Sequence, residues 1–166
     1  MKIQYQEEQE DMIKGHGQYQ EIIESEFLPC VTKSKLAIVH FYHKDFERCK
    51  IVDMHLRQIA KTHTEARFIY LDAEKSPFFI QKLQVQVLPT IVCFADGIAV
   101  DRLVGFEDMG NKDDFPTVLL TRRLIKGGIL KALNNQERGQ INLKKGGKRR
   151  LAAESNSDDD DYWIVF

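Results

Sequence analysis

The segment LAIVHFYHKDFERCK (36–50) combines the patterns of two secondary-structure elements. Its first seven residues form a continuous apolar run, which is typical of a strand buried on both faces. From residue 46 to residue 63, Val52, Leu56 and Ile59 recur at spacings of three and four, with charged residues between them. That period predicts an amphipathic helix. The segment therefore predicts a central strand that leads into a helix.

Further along the chain, the pattern alternates between strands and helices. A strand is predicted over RFIYLD (67–72), and a short helix over SPFFIQKLQ (76–84) with proline in its first turn. TIVCF (90–94) and IAVDRLV (98–104) flank an Asp-Gly pair, which is the signature of a β-hairpin. The last helix is predicted over residues 114–126.

One end of each of three helices is predicted from local residues. Asp113 and Asp114 are expected to cap the last helix, because carboxylates accept hydrogen bonds from free N–H groups there. Before the central strand, a helix over residues 3–14 is expected to end at Gly15, and Ser25 is a candidate N-cap for a helix reaching about Thr32.

This order of elements predicts an α/β fold with a central mixed sheet. Two strands joined by a crossover helix are parallel, whereas the hairpin is antiparallel by necessity. Helices then cover both faces of the sheet. We predict an N-terminal helical segment at 1–14, a folded domain at 15–133 and a flexible tail at 134–166.

Composition restricts the class of protein. The chain has 166 residues, 43% of them apolar, and a net charge of −1, which fits one domain and disfavours a nucleic-acid binder driven by overall charge. No apolar run approaches the roughly 18 residues of a membrane span, and the acidic N-terminus lacks a signal-peptide core. An odd number of cysteines, three, without a CxxC pair predicts a reducing compartment, which means the cytoplasm and, as a further location, the nucleus.

The predicted tail separates its charges into two blocks, KKGGKRR (144–150) and SNSDDDD (155–161). The basic block is expected to be solvated, with nuclear import or an RNA contact as the alternatives. Ser155 and Ser157 precede four aspartates and are candidate phosphorylation sites, with a plain solubility tail as the alternative. The five apolar residues at 162–166 are unusual for a solubilising tail, and they either dock or hang free.

Two stretches, FYHKDFERCK (41–50) and VLPTIVCFADG (87–97), resemble a thioredoxin-like domain. The resemblance implies a redox motif at the start of the helix and a cis proline, Pro89, that faces it. KGHGQYQEI (14–22) and VGFEDMGNKDDF (104–115) are similar to the phosducin-like branch, and the similarity covers about residues 12–130. Membership of that branch implies a cytosolic protein that binds the group II chaperonin and modulates its ATP turnover and the folding of actin and tubulin. Proteins of that branch are not established as oxidoreductases.

The expected redox motif is incomplete. Its first position is Phe46, which has no thiol, and only the second position, Cys49, is a cysteine. Cys93 lies four residues beyond Pro89, about 13 Å along a strand, beyond the roughly 7 Å that a disulfide allows between Cα atoms. We therefore predict no dithiol catalysis and no cofactor. Cys49 is expected to be a small, partly buried residue of the scaffold, because free cysteines are among the most buried side chains. The alternative is a monothiol redox protein, in which the helix start, Arg48 and Lys50 lower the pKa of Cys49.

Phe46, Arg48 and Pro89 are the candidate partner contacts. Phe46 is expected either to be an exposed anchor for a partner or to fold over Cys49 and seal it. His40 and His43 are weighed as metal ligands, but they fall on opposite faces of a strand and no carboxylate cluster completes a set. No metal site is therefore predicted.

Overall fold

The computed structural model describes residues 2–133 together with residues 137 and 138. It contains a five-stranded mixed sheet with helices on both faces, which confirms the predicted α/β class. The strands are β1 (Tyr19–Glu21), β2 (Leu36–Tyr42), β3 (Arg67–Asp72), β4 (Thr90–Ala95) and β5 (Ile98–Val104). The helices are α1 (Lys2–Ile13), α2 (Glu24–Lys33), α3 (Glu47–Thr62), α4 (Pro77–Lys82) and α5 (Thr117–Lys126).

The strands lie in the order β1-β3-β2-β4-β5. Strands β1, β3 and β2 run parallel to one another, and β4 is antiparallel to both β2 and β5. The β4–β5 hairpin turns at Asp96 and Gly97, whose φ angles are 53° and 81°. Positive φ at both positions is what a two-residue hairpin turn requires, so the predicted Asp-Gly turn is confirmed.

Each face of the sheet has its own apolar layer. On one face, α3 and α5 contribute Leu56, Leu120 and Leu124 against Ile38 and Phe68 of the strands. The other face is covered by α2 and α4, and aromatic rings dominate it. The centroid of the Phe27 ring lies 4.2 Å from that of Phe79, 5.6 Å from that of Phe94 and 6.2 Å from that of Phe41. Burial on both faces explains why β2 is continuously apolar in sequence.

After α1, the chain is fixed to the domain by one buried histidine. Gly15 has a φ of 103°, which ends the helix as predicted. His16 then bonds the carbonyl of Thr64 at 2.6 Å and the hydroxyl of Ser34 at 2.8 Å. Burial, the largest influence on its titration, lowers the pKa of His16, which keeps it neutral. Its two partners lie on different segments, so it connects the N-terminal segment to both.

The structure corrects three local predictions. Strand β1 was not predicted, and it forms because three residues pair with Phe68, Ile69 and Tyr70 of β3. Helix α2 begins at Glu24 with Ile23 as its N-cap, not at Ser25, because the side chain of Glu26 bonds the N–H of Ile23.

The predicted caps of the last helix are also wrong. Helix α5 has Pro116 as its N-cap, with no side-chain capping bond. Asp113 is instead engaged by Arg48, which removes it from the helix end.

The predicted tail, with Ser155 and Ser157, lies outside the described residues except for Glu137 and Arg138, so its flexibility stays a prediction. Glu137 accepts a hydrogen bond from His63 at 3.0 Å. Over the described part of the chain, no helix is long and apolar enough to cross a bilayer.

Candidate functional site at the end of the central strands

The candidate site lies where β2 ends, β4 begins and α3 starts. Thr90, the first residue of β4, pairs with Phe41 near the end of β2. Pro89 immediately precedes Thr90 and therefore lies at this end of the sheet. The Leu88–Pro89 peptide bond is cis, as the resemblance implied. The backbone carbonyl of Pro89 accepts a 2.8 Å bond from the N–H of Gly105, which joins the proline loop to the segment after β5.

Cys49 lies in the first turn of α3 and is only 1% exposed. Burial raises the pKa of its thiol, and the charge of Asp53 adds to that effect, although a hydrogen bond from the backbone of His43 opposes it. The interpretation of Cys49 as a buried scaffold residue is therefore confirmed, and the lowered pKa that the monothiol alternative assumed is wrong. Of the two flanking cations, Arg48 is bonded to Asp113, and Lys50 is solvent-exposed beside Glu47.

The other two thiols are far from forming a pair with Cys49. Cys93 lies opposite Ile38, three residue pairs along the sheet from Thr90 and Phe41, or about 10 Å. Burial raises the pKa of the Cys93 thiol as well. Cys30 belongs to α2, on the opposite layer from α3. All three cysteines are free thiols.

Phe46 holds the position that a nucleophilic thiol would occupy. It is the N-cap residue of α3 and is 45% exposed, with its ring centroid 4.9 Å from that of His43. Its exposed face favours the anchor alternative over a ring buried against Cys49. Val87, two residues before Pro89, is 48% exposed. Val87 was not identified from the sequence, because a valine next to a strand is usually a buried core residue.

Arg48 is held by groups of the same chain. Its Nε donates a 2.8 Å hydrogen bond to Asp113, and its Nη2 reaches the carbonyl of Asn111 at 3.3 Å. The guanidinium also lies 4.6 Å from the centroid of the Phe106 ring. Arg48 therefore connects the start of α3 to the loop after β5, and it positions that loop rather than offering a free charge.

His40 and His43 are separated in the structure. His40 is buried and bonded to Tyr19 and Asp53, whereas His43 lies after the strand, 3.8 Å from a carboxylate oxygen of Glu74. Within residues 2–133, 137 and 138, no three histidine, cysteine, aspartate or glutamate side chains form a group suited to a metal ion.

Behind the site lies a partly buried polar cluster, centred on the fully buried His40, that sequence reasoning missed. The Tyr19 hydroxyl donates to Asp53 at 2.5 Å, and His40 Nδ1 lies 2.8 Å from that hydroxyl and 3.1 Å from Asp53 Oδ1. Burial alone would raise the pKa of Asp53, but the bonds from His40 and Tyr19 outweigh it and lower the pKa. Burial lowers the pKa of His40. The cluster is therefore an ionised carboxylate that accepts from two neutral groups.

The geometry assigns the histidine tautomer. With Asp53 ionised, the proton of His40 belongs on Nδ1, where it is shared between the carboxylate and the tyrosine oxygen. Nε2 has no hydrogen-bond partner in the described structure. In this tautomer Nε2 carries no proton, so the unmet requirement is a donor to its lone pair. Asp53 and Cys49 are one helical turn apart on α3, so the cluster anchors the helix beneath the site.

The fold and site define a class of protein: a thioredoxin-like domain in which an aromatic residue replaces the first thiol and the second is buried. The thioredoxin family model matches residues 18–117. Thioredoxin domain-containing protein PLP3B of Arabidopsis thaliana is 45% identical over 148 residues, which cover 89% of this chain and 64% of that protein. Phosducin-like protein 3 of Dictyostelium discoideum is 47% identical over 121 residues, covering 73% and 66%.

The crystal structure of thioredoxin f from spinach chloroplast superposes with a TM-score of 0.60 at 17% identity, covering 72% of this chain and 93% of that one, and shows the fold alone. The chain spans between about half and two thirds of the length of the Arabidopsis relatives. This chain belongs to the thioredoxin family, in its phosducin-like branch.

Proposed function

We propose that this chain is a co-chaperone module that binds the cytosolic group II chaperonin and modulates its ATPase cycle and the folding of actin and tubulin. It acts in the cytoplasm, and also in the nucleus, by protein contact instead of dithiol exchange. One observation carries the proposal. The position that starts thiol exchange in a thioredoxin-like site holds the exposed ring of Phe46, and the remaining thiol, Cys49, is buried with a raised pKa.

The contact surface we propose centres on Phe46, Val87 and Pro89. Phe46 and Val87 are each nearly half exposed, and the two segments that carry them meet at the same end of the sheet. Exposed apolar side chains on rigid backbone are efficient anchors, because little conformational entropy is lost when they are buried. The hydrogen bond from the N–H of Gly105 to the Pro89 carbonyl and the Arg48–Asp113 bond hold the two segments that present them.

The binding test uses the chain 1–166 with a fluorophore attached at Cys30 and the purified chaperonin, measured by fluorescence anisotropy. Phe46→Ala is expected to weaken binding by about 2 kcal/mol, or roughly thirtyfold, as for an aromatic anchor. Ile98→Ala is the matched control, because Ile98 is 41% exposed but lies at the β4–β5 turn, at the opposite end of the sheet.

The outcomes separate the function from the surface. If the wild-type chain fails to bind the chaperonin or to change its ATPase rate, the proposed function is wrong. If it binds and Phe46→Ala binds equally well, the partner uses a different face. If Ile98→Ala weakens binding as much as Phe46→Ala, the effect comes from general apolar loss and does not locate the site.

A further inference from the structure

A second surface lies away from the candidate site, at the end of α5. It is an open hollow of about 340 Å³, which we call the α5 hollow. Four cationic side chains surround it: Arg122, Lys126, Lys131 and Arg138. Its apolar part comes from Ile125, Ala132 and Leu133, and none of the described residues that line it is acidic. The nearby carboxylates of Glu65 and Glu137 are bonded to His63.

The same chain contains a segment with the complementary chemistry. DDDDYWIVF (158–166) places four consecutive carboxylates directly before five apolar residues, three of them aromatic. Four cations around an apolar floor match both halves of that segment. We propose that residues 158–166 dock in the α5 hollow of their own chain, with the aspartates at the basic rim and the aromatic residues on Ile125 and Leu133.

Chain length permits this contact. Residues 139–157 connect Arg138, at the rim of the hollow, to the first aspartate of the segment. A chain of about 20 residues with random-coil statistics has a root-mean-square span of roughly 25 Å, which corresponds to a millimolar effective concentration. An intramolecular contact at such a concentration forms even when its intrinsic affinity is weak, so a shallow hollow is sufficient.

Two other basic stretches compete for the aspartates, and each lacks one part of the match. KKGGKRR (144–150) is closer in sequence but offers no apolar surface to the aromatic residues. The exposed face of α3 carries Lys50, Arg57 and Lys61, but the depression between them includes the carboxylate of Asp53. The lowered pKa of Asp53 keeps that carboxylate ionised, and it repels an acidic segment.

The chain provides its own probe, because Trp163 is its only tryptophan and lies within the proposed segment. Quenching of Trp163 by neutral acrylamide is measured on the chain 1–166 and compared with the free peptide DDDDYWIVF. Docking predicts protection in the chain relative to the peptide. The protection is lost at about 1 M salt, where the Debye length falls to about 3 Å.

Paired charge reversals locate the contact. The variant Arg122→Glu with Lys126→Glu is expected to lose the protection of Trp163, because both side chains are exposed on the hollow. The control Lys50→Glu with Lys61→Glu makes the same change of charge on the exposed face of α3 and is expected to retain it. The fourfold variant Asp158→Asn, Asp159→Asn, Asp160→Asn and Asp161→Asn removes the carboxylates without changing the folded domain, so its loss of protection cannot come from unfolding.

Three results overturn the proposal. Quenching in the chain equal to that of the peptide means that the segment does not dock. Equal loss in both charge-reversal variants means that only overall charge attracts it. Protection that falls on dilution of the protein means that the segment docks on a second copy of the chain.

Discussion

Arg48 and Asp113 are 65 residues apart in the chain, yet the Nε of Arg48 donates a hydrogen bond of 2.8 Å to Asp113 Oδ1. The same guanidinium lies 4.6 Å from the centroid of the Phe106 ring. Through this one side chain, the turn that carries Phe46 is connected to the loop that follows β5. The relationship explains why Asp113 does not cap α5.

Loss of Arg48 is expected to destabilise the fold modestly. The ion pair is exposed on both sides, so it contributes under about 1 kcal/mol, and the ring contact adds a similar amount. Arg48→Ala should therefore lower the free energy of unfolding in urea by about 1 kcal/mol, and Asp113→Asn by about half of that. Arg48→Lys should fall between them, because it keeps the charge but loses the planar stack.

The neighbouring carboxylate provides the control for this pair. Asp114 forms no side-chain hydrogen bond or ion pair in the described structure, so Asp114→Asn should leave the urea midpoint unchanged. Arg48→Ala with wild-type stability would show that the contact does not form in solution.

Thiol reactivity is expected to follow burial. Thiolate is the reactive form, and burial raises the pKa of Cys49 and Cys93, whereas Cys30 is partly exposed on α2. Native alkylation with iodoacetamide, followed by peptide mass spectrometry, should modify Cys30 first and the other two only after denaturant is added. Cys49 reacting as fast as Cys30 would contradict the structure.

The same reasoning predicts the outcome of a redox assay. In insulin reduction with dithiothreitol, wild type and Cys49→Ser should give equal rates, because neither presents an accessible thiol at the start of α3. A rate that depends on Cys49 would support the monothiol alternative over the proposed binding module.

The strongly patterned elements could be predicted from the sequence because one physical signal dominates each. Apolar continuity marks β2, the Asp96-Gly97 pair marks the hairpin, and a three-to-four period marks α3. Strand β1 carries no such signal, because its three residues are held by pairing with β3 and its burial pattern is mostly exposed. An edge strand of that length depends on tertiary contacts that a local pattern does not encode.

The site was predicted only where one position decides it. The absence of a thiol at position 46 follows directly from the residue type, and the cis bond at Pro89 was implied by the resemblance. The burial of Cys49 was expected from its residue type, whereas the lowered pKa assumed by the monothiol alternative was wrong, because this pKa depends on packing more than on neighbouring charges in the chain. In the sequence, Asp53 belongs to the polar face of a helix. Its contact with Tyr19 depends on the position of β1, a strand that was not predicted.

The cluster of Tyr19, His40 and Asp53 gives a prediction about stability. Asp53→Ala leaves the Tyr19 hydroxyl and the His40 N–H without their shared acceptor, which should cost about 2–4 kcal/mol in chemical denaturation. Tyr19→Phe removes one donor and leaves the His40–Asp53 bond, so about 1 kcal/mol is expected. Lys61→Ala, an exposed change on the same helix, is the control and should lie within about 0.5 kcal/mol of wild type.

The cluster also has a signed pH dependence. The pKa of Asp53 is lower in the folded chain than in the unfolded one, so its stabilisation is present above about pH 4 and is lost as the pH falls through its folded pKa. The stability difference between wild type and Asp53→Asn should therefore shrink on acidification. A difference that grows in acid would mean that His40, and not Asp53, carries the charge.

His63 predicts the opposite pH dependence. It is buried between Glu65, at 3.1 Å from Nδ1, and Glu137, at 3.0 Å from Nε2. Burial alone would lower its pKa, but the bonds to the two carboxylates outweigh it and raise the pKa. Glu65 also accepts a 3.0 Å bond from the backbone N–H of Lys131, so the cluster holds the chain after α5.

Because the folded pKa of His63 is raised, its stabilisation is complete below the unfolded value of about 6.5 and is lost as the pH rises through the folded pKa. His63→Gln should therefore destabilise the chain by about 1.5–3 kcal/mol near pH 6, as expected for charge-assisted bonds, and by less at pH 9. Amide hydrogen exchange of the segment around Lys131 measures the same release directly, since its protection should fall with rising pH in wild type beyond the intrinsic increase in exchange rate. Glu137→Gln removes one carboxylate without emptying the histidine site, and it should move the transition to lower pH. A transition at the same pH in both proteins would show that Glu137 does not contact His63.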